Sequence, residues 1–174
     1  ALIIDGELCQ ILEYEHVKPG KGSAFVRTRL KSLKTGSIVN RTFDAGEKFQ
    51  DAFIEKKAIQ FQYRAGDVYH FMDLETYESL AFQREELKEA ADYLTENLEI
   101  KGEFYEGRLM GLELPTTVVL KVTESETGLR GDTSRAAMKT ALLETGLRIQ
   151  VPLFIDPGDL IKVDTRTGEY IGRG

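Results

Sequence analysis

Cysteine and histidine are almost missing from this sequence: 174 residues hold one Cys and two His. A lone Cys9 cannot close an intramolecular disulfide, and with His16 and His70 far apart in the chain there is no ligand set for a structural zinc. Neither histidine has a nucleophile beside it in sequence, so both read as packed or surface rings rather than catalytic bases. Cys9 reads as a small apolar residue of a strand. Uncharged apolar runs fall far short of the ~18 residues that a membrane-spanning helix needs, and no secretory leader is recognisable. These absences point to a cytoplasmic protein without a metal or cofactor. A basic surplus is lacking too: 23 Lys and Arg stand against 29 Asp and Glu, a net charge of −6. A simple electrostatic nucleic-acid binder carries the opposite balance.

What is present is an ordinary globular composition, 41% hydrophobic and 30% charged, on a chain long enough for one ordinary domain or two to three very small ones. Strand signals dominate. In AFVRTRLKSL, Ala24, Val26, Thr28 and Leu30 alternate with Phe25, Arg27, Arg29 and Lys31, the pattern of a half-buried strand. After Lys34-Thr35-Gly36 the extended pattern resumes in SIVNRTF, so residues 24–43 read as a hairpin with one basic face. LCQILEYEHV is a third strand, joined to the hairpin through Lys18-Pro19-Gly20-Lys21-Gly22. Further on, AIQFQYRAGD and VYHFMDL flank an Ala65-Gly66-Asp67 turn. Leu87, Ala90, Ala91, Leu94 and Leu98 then recur at helical spacing, predicting one short amphipathic helix. EFYEGRLMGLEL and TTVVLKVTES read as single strand-like runs on either side of Pro115, and IQVPLFI, LIKVDT and YIGR close the chain with turns between them. Three all-β units, residues 1–52, 53–115 and 116–174, account for this order.

That division redistributes the charge. The three segments carry +1, −7 and 0, and the stretch Val17–Arg41 holds Lys18, Lys21, Arg27, Arg29, Lys31, Lys34 and Arg41 with no acid. A local cationic surface of this kind binds phosphate backbones whatever the total charge. The acidic run Glu85, Glu86, Glu89 and Asp92 reads as the wet face of the helix.

HVKPGKG, residues 16–22, is the sharpest local feature. Its plain reading is a tight hairpin turn, Gly and Pro being the commonest turn residues. It is not a phosphate-cradling Walker loop, which would need Gly where Glu15 stands and Ser or Thr where Gly22 stands. What a turn does not explain is Lys21 between two glycines. With no neighbouring side chains to shield it, its ammonium projects beyond the fold, suited to reaching into a narrow site or to receiving a covalent modification.

HVKPGKG with the basic hairpin and RTF, FMDLETYE at 71–78, GLRGDT at 128–133 and VPLFIDPGDLIKVDTRTGEYIGR at 151–173 together resemble the bacterial elongation factor P family, in motif order and spacing over essentially the whole chain. The resemblance implies an all-β fold of three small β-barrel domains: an N-terminal SH3-like domain of the KOW type, then two OB-folds with one short helix in the first of them, in an L-shaped, tRNA-like outline. It implies a monomer, not an enzyme, that binds the 70S ribosome between the peptidyl and exit tRNA sites and relieves stalling at consecutive prolines. On this resemblance Lys21 is the lysine extended post-translationally by a β-lysyl or aminoalcohol-type group, added by a lysine-modifying enzyme, and Lys18, Pro19, Gly20 and Gly22 form its loop. Ribosomal RNA and peptidyl-tRNA are the implied partners of Arg27, Arg29, Lys31 and Lys34, and Gly131, Asp132 and Thr133 match a loop that approaches the exit-site codon. SRAAMKTALLETG stands where the family has a glycine-rich loop and a Lys-Pro-Ala-Thr-Leu segment. LMGLELP resembles the paralogous elongation factor P-like proteins, which leaves that alternative open. A generic OB-fold RNA-binding protein is the other alternative, and it requires stacking aromatics on an exposed barrel face.

Overall fold

A computed structural model describes residues 1–127 and 137–174, and across them the chain is all-β, with fifteen strands and a single helical stretch. The backbone divides into two compact units, Ala1–Lys56 with Glu103–Gly111, and Lys57–Gly102 with Leu112–Gly174.

The first sheet is antiparallel, with β1 (Leu2–Ile4), β2 (Glu7–Val17), β3 (Phe25–Ser32), β4 (Ile38–Asp44) and β5 (Gln50–Asp51) in the order β4-β3-β2-β1-β5. The expected alternation is realised on β3, where Thr28, Leu30 and Ser32 are buried and Arg27 and Arg29 are exposed. Thr28 tolerates its inward position because its hydroxyl donates to the Arg41 carbonyl at 2.9 Å. The core beneath is small: Ile4, Cys9, Leu30 and Phe43, with Leu2 and Phe49 packed against them. Phe43 and Phe49 meet edge to face, centroids 4.8 Å apart.

Two further sheets follow. One holds β6 (Glu55–Ala65), β7 (Val68–Asp73), β8 (Ser79–Gln83), β9 (Glu99–Tyr105) and β10 (Arg108–Glu113) in the order β10-β9-β6-β7-β8. The other holds β11 (Thr117–Ser125), β12 (Met138–Leu143), β13 (Arg148–Pro152), β14 (Leu160–Asp164) and β15 (Tyr170–Arg173) in the order β13-β12-β11-β14-β15. Numbered from its own first strand, each reads 3-2-1-4-5, so one topology is used twice. Val118, Leu120 and Val122 alternate inward from β11 and meet Ala141, Leu143, Val151, Ile155, Ile161 and Val163 in a dry core.

Three local expectations change. The run 103–114 is not one strand but the end of β9, a turn at Glu106-Gly107 and β10. MKTALL, not recognised as regular structure in the sequence, forms β12. The amphipathic helix is cut short: α1 (Arg84–Leu87) gives way at Lys88, whose φ is +54°, to a 3-10 turn over Lys88–Tyr93, and Leu94 is already extended. A continuous helix would set Leu87, Ala91, Leu94 and Leu98 on one stripe and turn Tyr93 away from it. The tighter 3-10 path brings Tyr93 inward to 8% exposure, packed in the core of the β11–β15 sheet. Burial of one large ring outweighs the regular period.

Candidate nucleic-acid interface

Strands β2 and β3 form a long antiparallel arm. Eleven residues of β2 extend about 36 Å at roughly 3.3 Å per residue. The last rung pairs Val17 with Phe25, and the chain crosses between them through Lys18–Ala24, of which Lys18, Pro19, Gly20, Lys21, Gly22 and Ser23 are all exposed. A side-chain carbon built on Gly20 meets nothing within 4 Å, and one on Gly22 meets only Pro19 Cγ at 3.9 Å. The tip is therefore exposed and uncrowded at both glycines. Gly22 has φ +110°, a conformation that glycine adopts cheaply and other residues rarely do. Lys21 is thus presented by a strand arm through a backbone shape its glycine neighbour makes accessible.

The outer face of the arm mixes charges in a way the linear sequence hides. Arg27 pairs across the sheet with Glu15, and Arg29 with Glu13. The Arg29–Glu13 ion pair measures 3.7 Å, with both side chains exposed. Arg27 lies 5.5 Å over the Phe25 ring, whereas Arg41, which pairs with the inward-facing Thr28, belongs to the other face and reaches Asp5 at 2.7 Å. Lys31 is half-buried opposite Gln10 and Ile38, while Lys34 is exposed in the following turn. Glu13, Glu15, Arg27, Arg29, Asn40 and Arg41 line a shallow groove across β2–β4. An exposed pair such as Arg29–Glu13 contributes about 0–1 kcal/mol, so it holds the Arg29 guanidinium only weakly. A bulge between Ile11 and Glu13 brings the two glutamates onto that face.

Three family models match the chain: the elongation factor P KOW-like domain over residues 1–49, the elongation factor P OB domain over 54–112, and the elongation factor P C-terminal domain over 118–173. The chain belongs to the elongation factor P family. Among its relatives, elongation factor P of Moorella thermoacetica is 52% identical over 170 residues, covering 98% of this chain and 92% of that protein. The Exiguobacterium protein of the same name is 51% identical, at 97% and 90% coverage, and that of Synechocystis 47% identical, at 99% and 92%. A solved structure of eukaryotic translation initiation factor 5A from Methanococcus jannaschii is similar with a TM-score of 0.51 and 26% identity, over 62% of this chain and 80% of that one. The chain is accordingly a translation elongation factor, built from KOW-like and OB domains.

One surface feature of this elongation factor P family member was not singled out in the sequence. Tyr63 on β6 and His70 on β7 stack, centroids 4.4 Å apart and planes 16° from parallel. The signal was there: a two-residue Gly66-Asp67 turn sets residue 63 opposite residue 70, as the observed register does. Gly131, Asp132 and Thr133 lie outside the described residues. Among the described residues, no group of three or more His, Cys, Asp or Glu side chains gathers as a metal site, and no helix is long and apolar enough to cross a membrane.

Proposed function

We propose that the chain binds the 70S ribosome between the peptidyl and exit tRNA sites and stimulates peptide-bond formation at consecutive prolines through a post-translationally extended Lys21. The observation that supports this reading most is the open, glycine-flanked tip of the β2–β3 arm with Lys21 exposed on it, in a chain of the elongation factor P family. Proline is a poor nucleophile in a constrained ring, and a nascent chain ending in proline disfavours attack, so the ribosome loses rate through misplacement. A rigid arm that ends in a long, hydrogen-bonding side chain restores rate by holding the reacting ends in place, which lowers the entropy cost of reaching the attack geometry. The catalytic centre stays with the ribosome; this chain acts as a positioning factor, not an enzyme, and takes no diffusible cofactor.

In this reading a lysine-modifying enzyme adds a β-lysyl or aminoalcohol-type group to Lys21. Lys18, Pro19, Gly20 and Gly22 shape the loop. Arg27, Arg29, Lys31 and Lys34 meet ribosomal RNA or peptidyl-tRNA, and Gly131, Asp132 and Thr133 approach the exit-site codon. The domains divide at 1–52, 53–115 and 116–174, and the protein acts as a cytoplasmic monomer. Lys21→Ala tests the proposal. The variant should melt like wild type, since Lys21 is exposed, and should not rescue translation of a polyproline reporter in cells lacking their own factor. Full rescue by Lys21→Ala sinks the reading. Intact mass of natively expressed protein, mapped to the peptide holding Lys21, tests the modification separately.

A further inference from the structure

Five non-glycine residues among those described have a positive φ: Asp5, Tyr77, Lys88, Asn97 and Glu106. Asp and Asn visit this region readily, whereas a bulky ring is an outlier there. Tyr77, the aromatic one, has φ +60° and sits in the turn between β7 and β8, within the FMDLETYE segment, with 73% of its surface in water. Packing does not account for a ring so exposed, and glycine or asparagine would hold the same backbone at lower cost. Strain of this kind, held at an exposed position, points to a contact made outside the fold.

The turn fixes the direction in which the ring projects. Asp73, whose side chain is 5% exposed, accepts hydrogen bonds from the Glu75 and Thr76 amides at 2.8 and 3.1 Å. The Tyr77 amide donates to the Asp73 carbonyl at 2.8 Å, the Asp73 amide to the Glu78 carbonyl at 2.9 Å, and the Leu74 amide to the Ala58 carbonyl at 3.0 Å, which ties the turn to β6. A partner therefore meets a backbone that is already ordered, and little loop entropy is lost on binding. The chemistry around the ring selects that partner. Glu75 and Glu78 flank Tyr77 and are exposed, in the segment of the chain that carries the −7 charge, so a phosphate backbone is repelled. The face of a tyrosine attracts a cation, and carboxylates beside it accept the cation's N–H groups. A guanidinium satisfies both: it is planar, stacks on rings and donates to carboxylates as a fork, whereas an ammonium is a strongly hydrated point charge.

We propose that the β7–β8 turn is a docking point for an arginine-rich protein segment, with one guanidinium stacked on Tyr77 and the arginines on either side paired with Glu75 and Glu78. The surface uses neither the Lys21 loop nor the basic hairpin, so it stands or falls independently of the positioning function. Its charge pairs are exposed, so binding weakens as salt rises.

The test titrates the intact chain, without ribosomes, with hexa-arginine and with hexa-lysine, and follows the Tyr77 ring and the amides of residues 75–79 by NMR. Hexa-arginine should shift these signals and bind several-fold more tightly than hexa-lysine, which carries the same charge. Tyr77→Phe keeps the ring face and should bind within about twofold of wild type. Tyr77→Asn removes the ring but suits the left-handed backbone, so it should melt at or above the wild-type temperature while binding hexa-arginine about fivefold more weakly. Glu75→Gln/Glu78→Gln should weaken binding by a similar factor, and Glu85→Gln/Glu89→Gln, an equal loss of charge in the helical stretch after β8, should change it less than about twofold. An RNA oligonucleotide should leave the Tyr77 signals where they are. Equal affinity for the two peptides, undiminished binding by Tyr77→Asn, a lower melting temperature in that variant, equal losses in the two glutamate double variants, or a shift of the Tyr77 signals by RNA each overturns the assignment.

Discussion

Replacing Gly22 with alanine separates the shape of the loop from the chemistry of the lysine it carries. At φ +110°, an L-residue with a side-chain carbon occupies a sparsely populated region at a cost of about 1–3 kcal/mol. That cost corresponds to roughly a 5- to 150-fold fall in the population of the observed loop conformation. Sterics add nothing, because the new methyl would meet only Pro19 Cγ at 3.9 Å. The strain also has an outlet. Lys18 to Ser23 are exposed and the sheet ends at the Val17–Phe25 rung, so the tip relaxes to another shape without disturbing β2 and β3. Gly22→Ala should therefore melt within a degree or two of wild type, helped by the few tenths of a kcal/mol that alanine removes from unfolded-chain entropy. In the polyproline reporter it should nevertheless lose most of its rescue, although Lys21 is untouched. Two results refute this reasoning. One is full rescue, meaning that the glycine conformation has no part in presenting Lys21. The other is a large loss of thermal stability, meaning that the tip is tied to the sheet.

Other perturbations follow from the same geometry. Asp73 is buried, and hydrogen bonds from the Thr76 and Glu75 amides hold its carboxyl below the usual carboxylate range, with Lys57 at 3.9 Å adding to the effect. A lowered native pKa gives stability that is complete above the ordinary value of about 3.9 and is lost as pH falls through the lower native one. The melting difference between wild type and Asp73→Asn should shrink below about pH 4; an unchanged difference from pH 7 to pH 3 contradicts this. Gly168 has φ +73°, and a methyl there would sit 3.2 Å from the Tyr93 hydroxyl. Gly168→Ala should cost about 1–2 kcal/mol from the left-handed backbone alone, read as a melting temperature several degrees lower, and Tyr93→Phe in the same chain should recover only the contact's share. Cys9 is buried in the first sheet's core, and burial, with Glu7 second, pushes its thiol pKa up. Its reaction with a thiol reagent at pH 8 should await opening of that sheet, and immediate reaction in native buffer would count against the burial.

The parts of this fold that were legible in the sequence are those in which one face is wet and the other dry. β3 announced itself through Arg27 and Arg29 alternating with Thr28 and Leu30. β12 did not, because Lys139 takes one of its inward positions, 7% exposed with its ammonium 4.0 Å from Asp156; a cation in the core register hides the pattern. The helix expected over 84–98 is present but shorter than its apolar spacing predicts, for the opposite reason. Its apolar spacing is regular, but Tyr93 is drawn off the stripe into a different core, a tertiary demand that no window of sequence contains. The candidate site divides in the same way. The projecting loop was visible because Gly and Pro act locally. The glutamates facing Arg27 and Arg29 were not, since they reach that face by pairing from β2. Tyr63 and His70 lay in between: turn symmetry sets them opposite one another, but seven positions of sequence separate the two rings.

Tyr93 leaves the helical stretch that follows β8 and fills a place among Val118, Leu120 and Ile161, in a barrel whose strands begin more than twenty residues later. Chains made of repeated barrels lend themselves to recombination, since a module can be exchanged wherever a boundary crosses few contacts. Here the obvious cut, near Pro115, would take a ring away from one fragment and leave a hole the size of a phenol in the other. A chimera that joins this C-terminal barrel to a foreign OB module therefore has to bring an aromatic residue with the donor's helical turn, so the heritable module is the barrel together with the tyrosine that plugs it.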